Sequence, residues 1–228
     1  MKPLIIAISG TASNTGKTTL LCDLISELSQ DAGWEAIKLT RGHHRSCGKD
    51  PQTCCIGGLL GEEPMVFSGR DENCSAGKDT GRYWDAGAVN VHWVVATDDQ
   101  VEQGMAAALS LVRSGRVLIE GTSFLKYVTP DYAILVSPSN PGKIKPSARA
   151  GLLKGQFNAI YFSEEGTAEC LTPQFIDGLK TGNGLILDGE PLSRLAFYSK
   201  SDLAALVAHV RSLISEQESS GSVPVREQ

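Results

Sequence analysis

The sequence predicts an α/β protein in which a mostly parallel sheet carries helices on both faces. Short apolar segments typical of buried strands alternate with segments in which apolar residues recur at helical spacing. A loop of small and polar residues joins the first of these strands directly to the first helix. In folds of this class the ligand binds beside the carboxyl ends of the strands, so functional residues are expected there.

The first elements are a strand, a loop, a helix and a second strand. Residues 4–8 are continuously apolar, as expected of a strand buried on both faces, and the loop covers residues 9–16. Leucine and isoleucine then recur at helical spacing from Leu20 to Leu28. Gly33 provides a helix stop before the second strand at residues 35–39.

The rest of the chain continues the alternation. A helix over residues 98–113 is opened by Thr97 or Asp98. The last helix has an apolar stripe from Leu203 to Ile214, with Ser201 as its candidate cap. The remaining strands are predicted at residues 64–67, 89–96, 116–120, 132–136, 159–162 and 185–187.

The length of 228 residues fits one compact domain, which we place at residues 1–216, followed by a flexible tail at residues 217–228. Residues 41–88 are rich in Gly, Cys, Asp and Lys and lack sustained periodicity. Because a structureless loop of that length is uncommon inside a compact domain, we interpret this Cys/Gly-rich segment as an inserted subdomain or functional loop.

Charge and hydropathy argue against several classes of function. The formal net charge is −5, so the chain as a whole has no positive field that would favour nucleic acid or an anionic membrane. No apolar run approaches the ~18 residues that span a bilayer, and the N-terminal apolar run is too short for a signal peptide. We therefore expect a cytoplasmic protein with neither a nucleic-acid partner nor a membrane partner.

The loop after the first strand has the composition of a phosphate-binding loop. Glycine permits close backbone approach, successive N–H groups can surround phosphate oxygens, and the following helix adds its positive end. Lys17 can reach the β and γ phosphates, and the Thr18 hydroxyl can ligate Mg²⁺. The usual motif has glycine where Thr11 stands, so the loop is atypical at that position. The predicted nucleotide-binding residues are Ser13, Asn14, Thr15, Gly16, Lys17, Thr18 and Thr19.

An acidic residue is expected beside such a loop. The apolar strand at residues 117–119 runs into Glu120, which can hold Mg²⁺ through water or position the attacking group near the γ phosphate. A strand-terminal glutamate that only caps the next turn is the alternative. Thr18 and Glu120 are accordingly the candidate Mg²⁺ ligands.

A charged segment around Asp79 is a candidate switch loop. Phosphate charge and Mg²⁺ need both cations and a carboxylate that can move with the γ phosphate, and Asp79 is followed by Arg82. An ordinary solvated loop is the alternative reading of the same charges. Lys17, Glu120 and Asp79 are the candidate catalytic residues.

Several short motifs follow one another along the chain: residues 13–19, Ile37 and Lys38 followed by His43 and His44, residues 77–80 with Arg82, residues 86–88, and residues 118–121. In these motifs the chain resembles the MobB family, the GTP-binding adaptors of molybdopterin-guanine dinucleotide biosynthesis. The resemblance implies a P-loop NTPase fold that binds GTP with Mg²⁺, hydrolyses it slowly, dimerises, and assists a protein partner in molybdenum cofactor maturation. It implies phosphate and Mg²⁺ contacts for Lys17 and Thr18 and an acidic role for Glu120.

The same loop also resembles that of dethiobiotin synthetase and related ligases. This shorter likeness implies an ATP-dependent ligase or kinase that passes through a phosphorylated carboxylate. Ala12 stands where ParA and MinD loops have an extra lysine, which disfavours that branch. No Asn-Lys-x-Asp sequence is present to recognise guanine, so the choice of GTP over ATP depends on the MobB resemblance alone.

Four cysteines cluster within the insertion. Together with the nearby histidines they could hold zinc or an iron–sulfur cluster, which would make the protein a metal-binding, nucleotide-dependent carrier. Their spacing matches neither paired C-x-x-C motifs nor a ferredoxin pattern. Reduced structural cysteines and reversible disulfide chemistry therefore remain alternatives. The cysteines are Cys47, Cys54, Cys55 and Cys74.

Overall fold

The computed structural model describes residues 2–30, 33–42, 59–187 and 190–221. Within these residues the centre is an eight-stranded sheet of order β3-β4-β2-β5-β1-β6-β7-β8. Neighbouring strands are parallel except β3, which runs antiparallel to β4 at one edge. The strands are β1 Leu4–Gly10, β2 Glu35–Arg41, β3 Met65–Ser68, β4 Asn90–Ala96, β5 Arg116–Glu120, β6 Tyr132–Ser137, β7 Ala159–Phe162 and β8 Ala196–Tyr198.

Helices cover both faces of the sheet. Helices α1, α3 and α8 pack with one buried apolar cluster, and α4, α5 and α6 pack with the other. The α-helices are α1 Lys17–Leu28, α2 Arg70–Asn73, α3 Asp79–Asp85, α4 Val101–Leu111, α5 Pro146–Leu153, α6 Ala168–Asn183, α7 Glu190–Ser193 and α8 Leu203–Gly221, and short 3₁₀ turns lie at Asp98–Gln100, Ser123–Lys126 and Lys200–Asp202.

Strand β1 shows why the central strands are apolar throughout. Ile6 and Ile8 belong to the cluster under α1, whereas Ile5 and Ala7 belong to the cluster on the opposite face. Alternate side chains point to opposite faces, so a strand covered by helices on both sides needs apolar residues at every position. The predicted fold class is confirmed: a mostly parallel sheet with helices on both faces.

The strand predicted at residues 185–187 is wrong. Helix α6 ends at Gly184, which has φ 55°, and the Leu185 N–H donates to the Leu179 carbonyl at 2.9 Å. This bond is part of the helix cap, so it is not available to a sheet. Leu185 and Leu187 are buried because they pack beneath the helix end. The last strand is instead Ala196–Tyr198, next to β7.

The start and end of α8 also differ from the prediction. Ser199, and not Ser201, caps the turn that leads into the helix, since its backbone N–H and hydroxyl donate to Asp202 at 2.9 and 2.7 Å. The helix continues to Gly221, into the segment predicted to be a flexible tail. An ion pair of 2.6 Å between Arg116 and Glu218 connects that polar part of the helix to β5.

The described part of the segment predicted to be an insertion contributes to the main sheet. Residues 59–88 contain β3, which pairs with β4, and the helices α2 and α3. Helix α3 packs its buried Tyr83 into the cluster beneath α1. Residues 43–58, which include His43, His44 and three of the clustered cysteines, lie outside the described residues.

A buried carboxylate connects three strands at their amino ends, the edge of the sheet away from the cavity described below. Glu35 begins β2, and its Oε2 lies 2.7 Å from Nε2 of His92 on β4. Its Oε1 accepts hydrogen bonds of 2.5 and 2.6 Å from the backbone N–H groups of Arg113 and Ser114, just before β5. Burial favours the protonated acid, but the bonds with His92 and the backbone outweigh it and lower the pKa of Glu35 to about 2.

Candidate functional site

A cavity of about 570 Å³ lies at the carboxyl ends of the central strands. The loop after β1, the ends of β2 and β5, the start of α3 and the start of α5 form its walls. This is the position that a parallel sheet with helices on both faces offers to a ligand. The predicted residues among its lining are Ser13, Asn14, Gly16, Lys17, Thr18, Thr19, Asp79 and Glu120.

The loop between β1 and α1 contains two residues with left-handed backbone. Gly16 has φ 88°, and Asn14, at φ 58°, is the one non-glycine residue with positive φ in the described part of the chain. A Cβ on Gly10 would lie 2.8 Å from Cδ of Lys17, so glycine leaves room for the lysine side chain. Left-handed residues at functional loops store strain that the surrounding structure must support.

Helix α1 begins without a side-chain cap. Its N-cap residue is Gly16, and no acidic side chain lies in its first turn. The first N–H groups of a helix have no partner within the helix and attract anions. The start of α1 is therefore available to a phosphate group.

Threonine at the usual glycine position is accommodated by the fold. Thr11 is buried, and its N–H donates to the carbonyl of Val136 on β6 at 3.1 Å. Its carbonyl accepts from the Lys145 N–H at 2.8 Å, and its hydroxyl lies 3.2 Å from that of Ser137. The backbone at Thr11 is not left-handed, so a β-branched side chain fits there.

The predicted Mg²⁺ ligands are brought together. The Thr18 hydroxyl donates to Oε2 of Glu120 at 2.8 Å, although the two residues are far apart in sequence. Glu120 is nearly inaccessible at 2% exposure and also accepts hydrogen bonds from Lys38 and from the Tyr83 hydroxyl. Parallel pairing of β2 with β5 places Lys38 directly beside Glu120. The carboxylate is thus held in one orientation at the end of β5.

Hydroxyl and carboxylate oxygens are the ligands that Mg²⁺ prefers, so this pair fits the cation that the resemblance implies. Since Lys38 and Tyr83 already donate to Glu120, we expect the carboxylate to act on Mg²⁺ through water. A bound Mg²⁺ would neutralise charge on the β and γ phosphates.

Asp79 lies at the first position of α3 and reaches into the same cavity. Its Oδ2 is 2.7 Å from Nζ of Lys38, which therefore bridges Asp79 and Glu120. Burial favours protonation of Asp79, but the hydrogen bond and charge of Lys38, with help from Thr18 and Arg82, hold its pKa below the ordinary value. Asp79 is thus ionised at neutral pH and contributes negative charge near Thr18.

The cationic side of the site consists of two lysines from distant elements. Burial lowers the pKa of Lys17; Glu120 opposes this effect, and the neighbouring Lys145 and Lys38 add to it. The Lys17 ammonium donates to the Ala12 carbonyl within its own loop at 3.1 Å. Burial, Arg41 and Lys38 likewise lower the pKa of Lys145. Closely spaced cations of this kind favour a bound anion.

Sequence reasoning missed Lys38, Tyr83 and Lys145 as site residues. The resemblance used Lys38 only as a family motif, although a lysine inside an apolar strand was itself a signal of a buried partner. Tyr83 and Lys145 gave no such signal, because their approach to the site depends on how α3 and α5 pack against the sheet.

The proposed cysteine site receives no support from the described residues. Cys74 is exposed, whereas Cys47, Cys54 and Cys55 lie outside the described residues. In the described ranges, no three His, Cys, Asp or Glu side chains form a group that could hold a metal ion. Cys22 lies on α1, where burial raises the pKa of its thiol to about 11.

The segment after β6 packs against helix α6. Ser139 is buried, and its hydroxyl donates to Glu164 at 2.5 Å and lies 3.3 Å from Oε1 of Gln174. Gly178 of α6 lies close to Asn140 and Pro141. These contacts pack the segment against α6, as an ordinary turn would.

The sheet topology and the loop between β1 and α1 together define the class of fold, which is that of a P-loop NTPase. A solved structure of similar fold is HypB from Helicobacter pylori in complex with nickel, with a TM-score of 0.52, 12% sequence identity, and coverage of 100% of this chain and 92% of that one. No protein-family model and no curated protein matches the sequence. Each helix in the described parts of the chain is too short or too polar to cross a membrane.

Proposed function

We propose that this protein binds a nucleoside triphosphate, GTP, together with Mg²⁺ and hydrolyses it slowly. The observation that carries the proposal is the 2.8 Å hydrogen bond between Thr18 and Glu120 at the end of an uncapped α1. It joins the two Mg²⁺ candidates at the place where Lys17 and the loop N–H groups face the cavity. Phosphoryl transfer depends chiefly on such positioning and on electrostatic stabilisation.

Within this function the chain's own residues have distinct roles. Lys17 binds the β and γ phosphates, and Thr18 and Glu120 hold the Mg²⁺ site. Lys38 fixes the orientation of Glu120 through their hydrogen bond, and it also holds Asp79 at 2.7 Å. Because Asp79 begins α3, arrival of a γ phosphate near Lys38 would compete for this ion pair and move the helix. Nucleotide state would thereby change the surface that a partner meets.

The cellular role that we propose is that of a MobB-like adaptor in metallocofactor maturation, with molybdenum cofactor as the first candidate. The support is the motif resemblance of the loop, β2, the start of α3 and β5. The fold likeness to a HypB structure that holds nickel is consistent with a metal-related role. Homodimerisation, a cytoplasmic location and metal binding by the cysteine cluster belong to the same proposal.

Calorimetric titration with GTP and with ATP, each with Mg²⁺, tests the nucleotide assignment. We expect tighter binding of GTP, and at least a roughly tenfold loss of affinity in Lys17→Ala because a charge-assisted phosphate contact is removed. Lys154→Ala, which replaces an exposed lysine at the end of α5, is the matched control. Unchanged binding in Lys17→Ala would remove the site assignment, and a preference for ATP would favour the ligase or kinase alternative.

The adaptor role has its own test. GTP turnover is measured alone and after addition of the enzyme that attaches the nucleotide to molybdenum cofactor. Acceleration of a slow basal rate would support the adaptor role. An unchanged rate, with GTP binding intact, would leave a nucleotide-binding protein for which another partner must be sought.

A further inference from the structure

The cavity contains more positive side chains than the phosphate loop itself provides. The chain as a whole carries a net charge of −5, yet positive side chains outnumber negative ones among the described residues that line the cavity. Clustered cations in an acidic protein mark a place for anions. The positive residues are Lys17, Lys38, Arg41, Arg82 and Lys145, and the negative residues are Asp79 and Glu120.

Most of these cations have partners. Lys38 bridges Asp79 and Glu120, and Arg82 donates to the Thr19 hydroxyl on α1 at 3.3 Å. In the described part of the chain, the ammonium of Lys145 has no hydrogen-bond or ion-pair partner. Among the described residues, Lys145 is thus the lining cation whose ammonium has no direct partner, although the charge of Glu120 acts on it.

Lys145 is also held firmly in place. Its backbone N–H donates to the Thr11 carbonyl at 2.8 Å, and its carbonyl accepts from the Arg149 N–H at 2.9 Å in the first turn of α5. Pro146 follows at the start of the helix and restricts the backbone further. The fold therefore fixes the backbone that carries this side chain at the edge of the cavity.

Arg41 adds a second positive charge to the same cavity lining as Lys145. It is the largest charged contributor to the lowered pKa of Lys145, with Lys38 next. One nitrogen of its guanidinium pairs with Asp98 at 2.6 Å, which leaves other donors of the planar group for a ligand. Thr122, Ser123 and Ser147 add hydroxyl groups to the cavity lining. Two cations and hydroxyl donors suit an oxyanion.

The residues proposed to bind the nucleotide come from other elements than Arg41 and Lys145. The loop N–H groups, Lys17 and Thr18 belong to β1, the loop and α1, whereas Arg41 ends β2 and Lys145 precedes α5. We infer that Arg41 and Lys145 form a subsite for a second, small anionic ligand, a carboxylate- or phosphate-bearing molecule, beside the terminal phosphate. This inference rests on the proposed triphosphate binding at the loop.

The test uses the full-length protein saturated with Mg²⁺ and guanylyl imidodiphosphate, a GTP analogue that is not hydrolysed at the β–γ bond. Inorganic phosphate and acetate are then titrated in separate calorimetric experiments, so the two sources of oxyanion are distinguished. We expect saturable binding of at least one of them. Lys145→Ala and Arg41→Ala should each weaken that binding about tenfold, and Arg41→Ala should change the affinity for the analogue less than about threefold. Lys154→Ala should change neither.

Other outcomes separate this inference from the proposed function. If the analogue binds but neither anion does, or if Arg41→Ala weakens binding of the analogue as much as Lys17→Ala does, the subsite is overturned while the nucleotide site stands. If the analogue does not bind, the proposed function fails. Phosphate and acetate are then titrated into the nucleotide-free protein, where selective loss in Lys145→Ala and Arg41→Ala supports the anion subsite and its absence overturns it.

Discussion

The buried Glu35 carboxylate should make the stability of this protein depend on pH in a defined window. The pKa of Glu35 is about 2 in the folded protein against an ordinary value of 4.5. That difference corresponds to about 3 kcal/mol of stability. Glu35 is only 2% exposed, so solvent screens its hydrogen bonds little. A carboxylate with a lowered pKa stabilises the folded protein at pH values above its pKa in the unfolded chain. The contribution of Glu35 to stability is therefore complete above about pH 5 and is lost as the pH falls from about 4.5 toward 2.

Urea unfolding of the wild type and Glu35→Gln between pH 3 and pH 7 measures this contribution. At pH 7 we expect the variant to be less stable by about 3 kcal/mol. A neutral amide forms weaker hydrogen bonds than the carboxylate does with His92 and the two backbone N–H groups. At pH 3 the difference in stability between the two proteins should be smaller by about 2 kcal/mol. At this pH Glu35 is protonated in the unfolded wild type but still ionised in the folded one, so acid favours unfolding.

The difference between the two proteins isolates Glu35, because other carboxylates titrate in both. Glu169→Gln, at an exposed position in the first turn of α6, is the control and should show a small gap at every pH. A gap between wild type and Glu35→Gln that stays constant from pH 7 to pH 3 would refute the reasoning. It would mean that the bonds to His92, Arg113 and Ser114 do not favour the ionised form.

Three further predictions concern the site. Gly10→Ala should lower triphosphate affinity by about tenfold in calorimetric titrations. The new Cβ would lie 2.8 Å from Cδ of Lys17 and displace the lysine, and unchanged affinity would show that the loop adapts. Thr18→Val should reduce Mg²⁺-dependent turnover about 10- to 100-fold, as its hydroxyl is lost, and turnover equal to wild type would contradict the Mg²⁺ assignment. Iodoacetamide at pH 8 should modify Cys22 at least about tenfold more slowly than exposed Cys74, as measured by peptide mass spectrometry. Burial raises the pKa of Cys22 to about 11, so equal rates would contradict a buried environment for this thiol.

Local patterns in the sequence were enough for the class of fold and for one wall of the site. The strands at residues 116–120 and 159–162 coincide with β5 and β7, because an apolar run between polar turns has few other structures available in a parallel sheet. The loop before α1 was equally readable, since its glycines, Lys17 and Thr18 are adjacent in sequence and act through local backbone geometry. The false strand at residues 185–187 shows the limit: two buried leucines at period two also fit a helix cap.

The presence of Lys38, Tyr83 and Lys145 in the site depends on the tertiary structure. Lys38 meets Glu120 because β2 pairs with β5, and Tyr83 meets it because α3 packs beside α1; neither choice is visible in a local window. Lys145, from beyond β6, shares the cavity lining with Lys17 for the same reason. The sequence by itself determined most of the strands, the first and last helices and the loop with the composition of a phosphate-binding loop, since those properties depend on neighbouring residues. Strand order and helix packing, which depend on contacts between distant residues, decided which charges share the cavity.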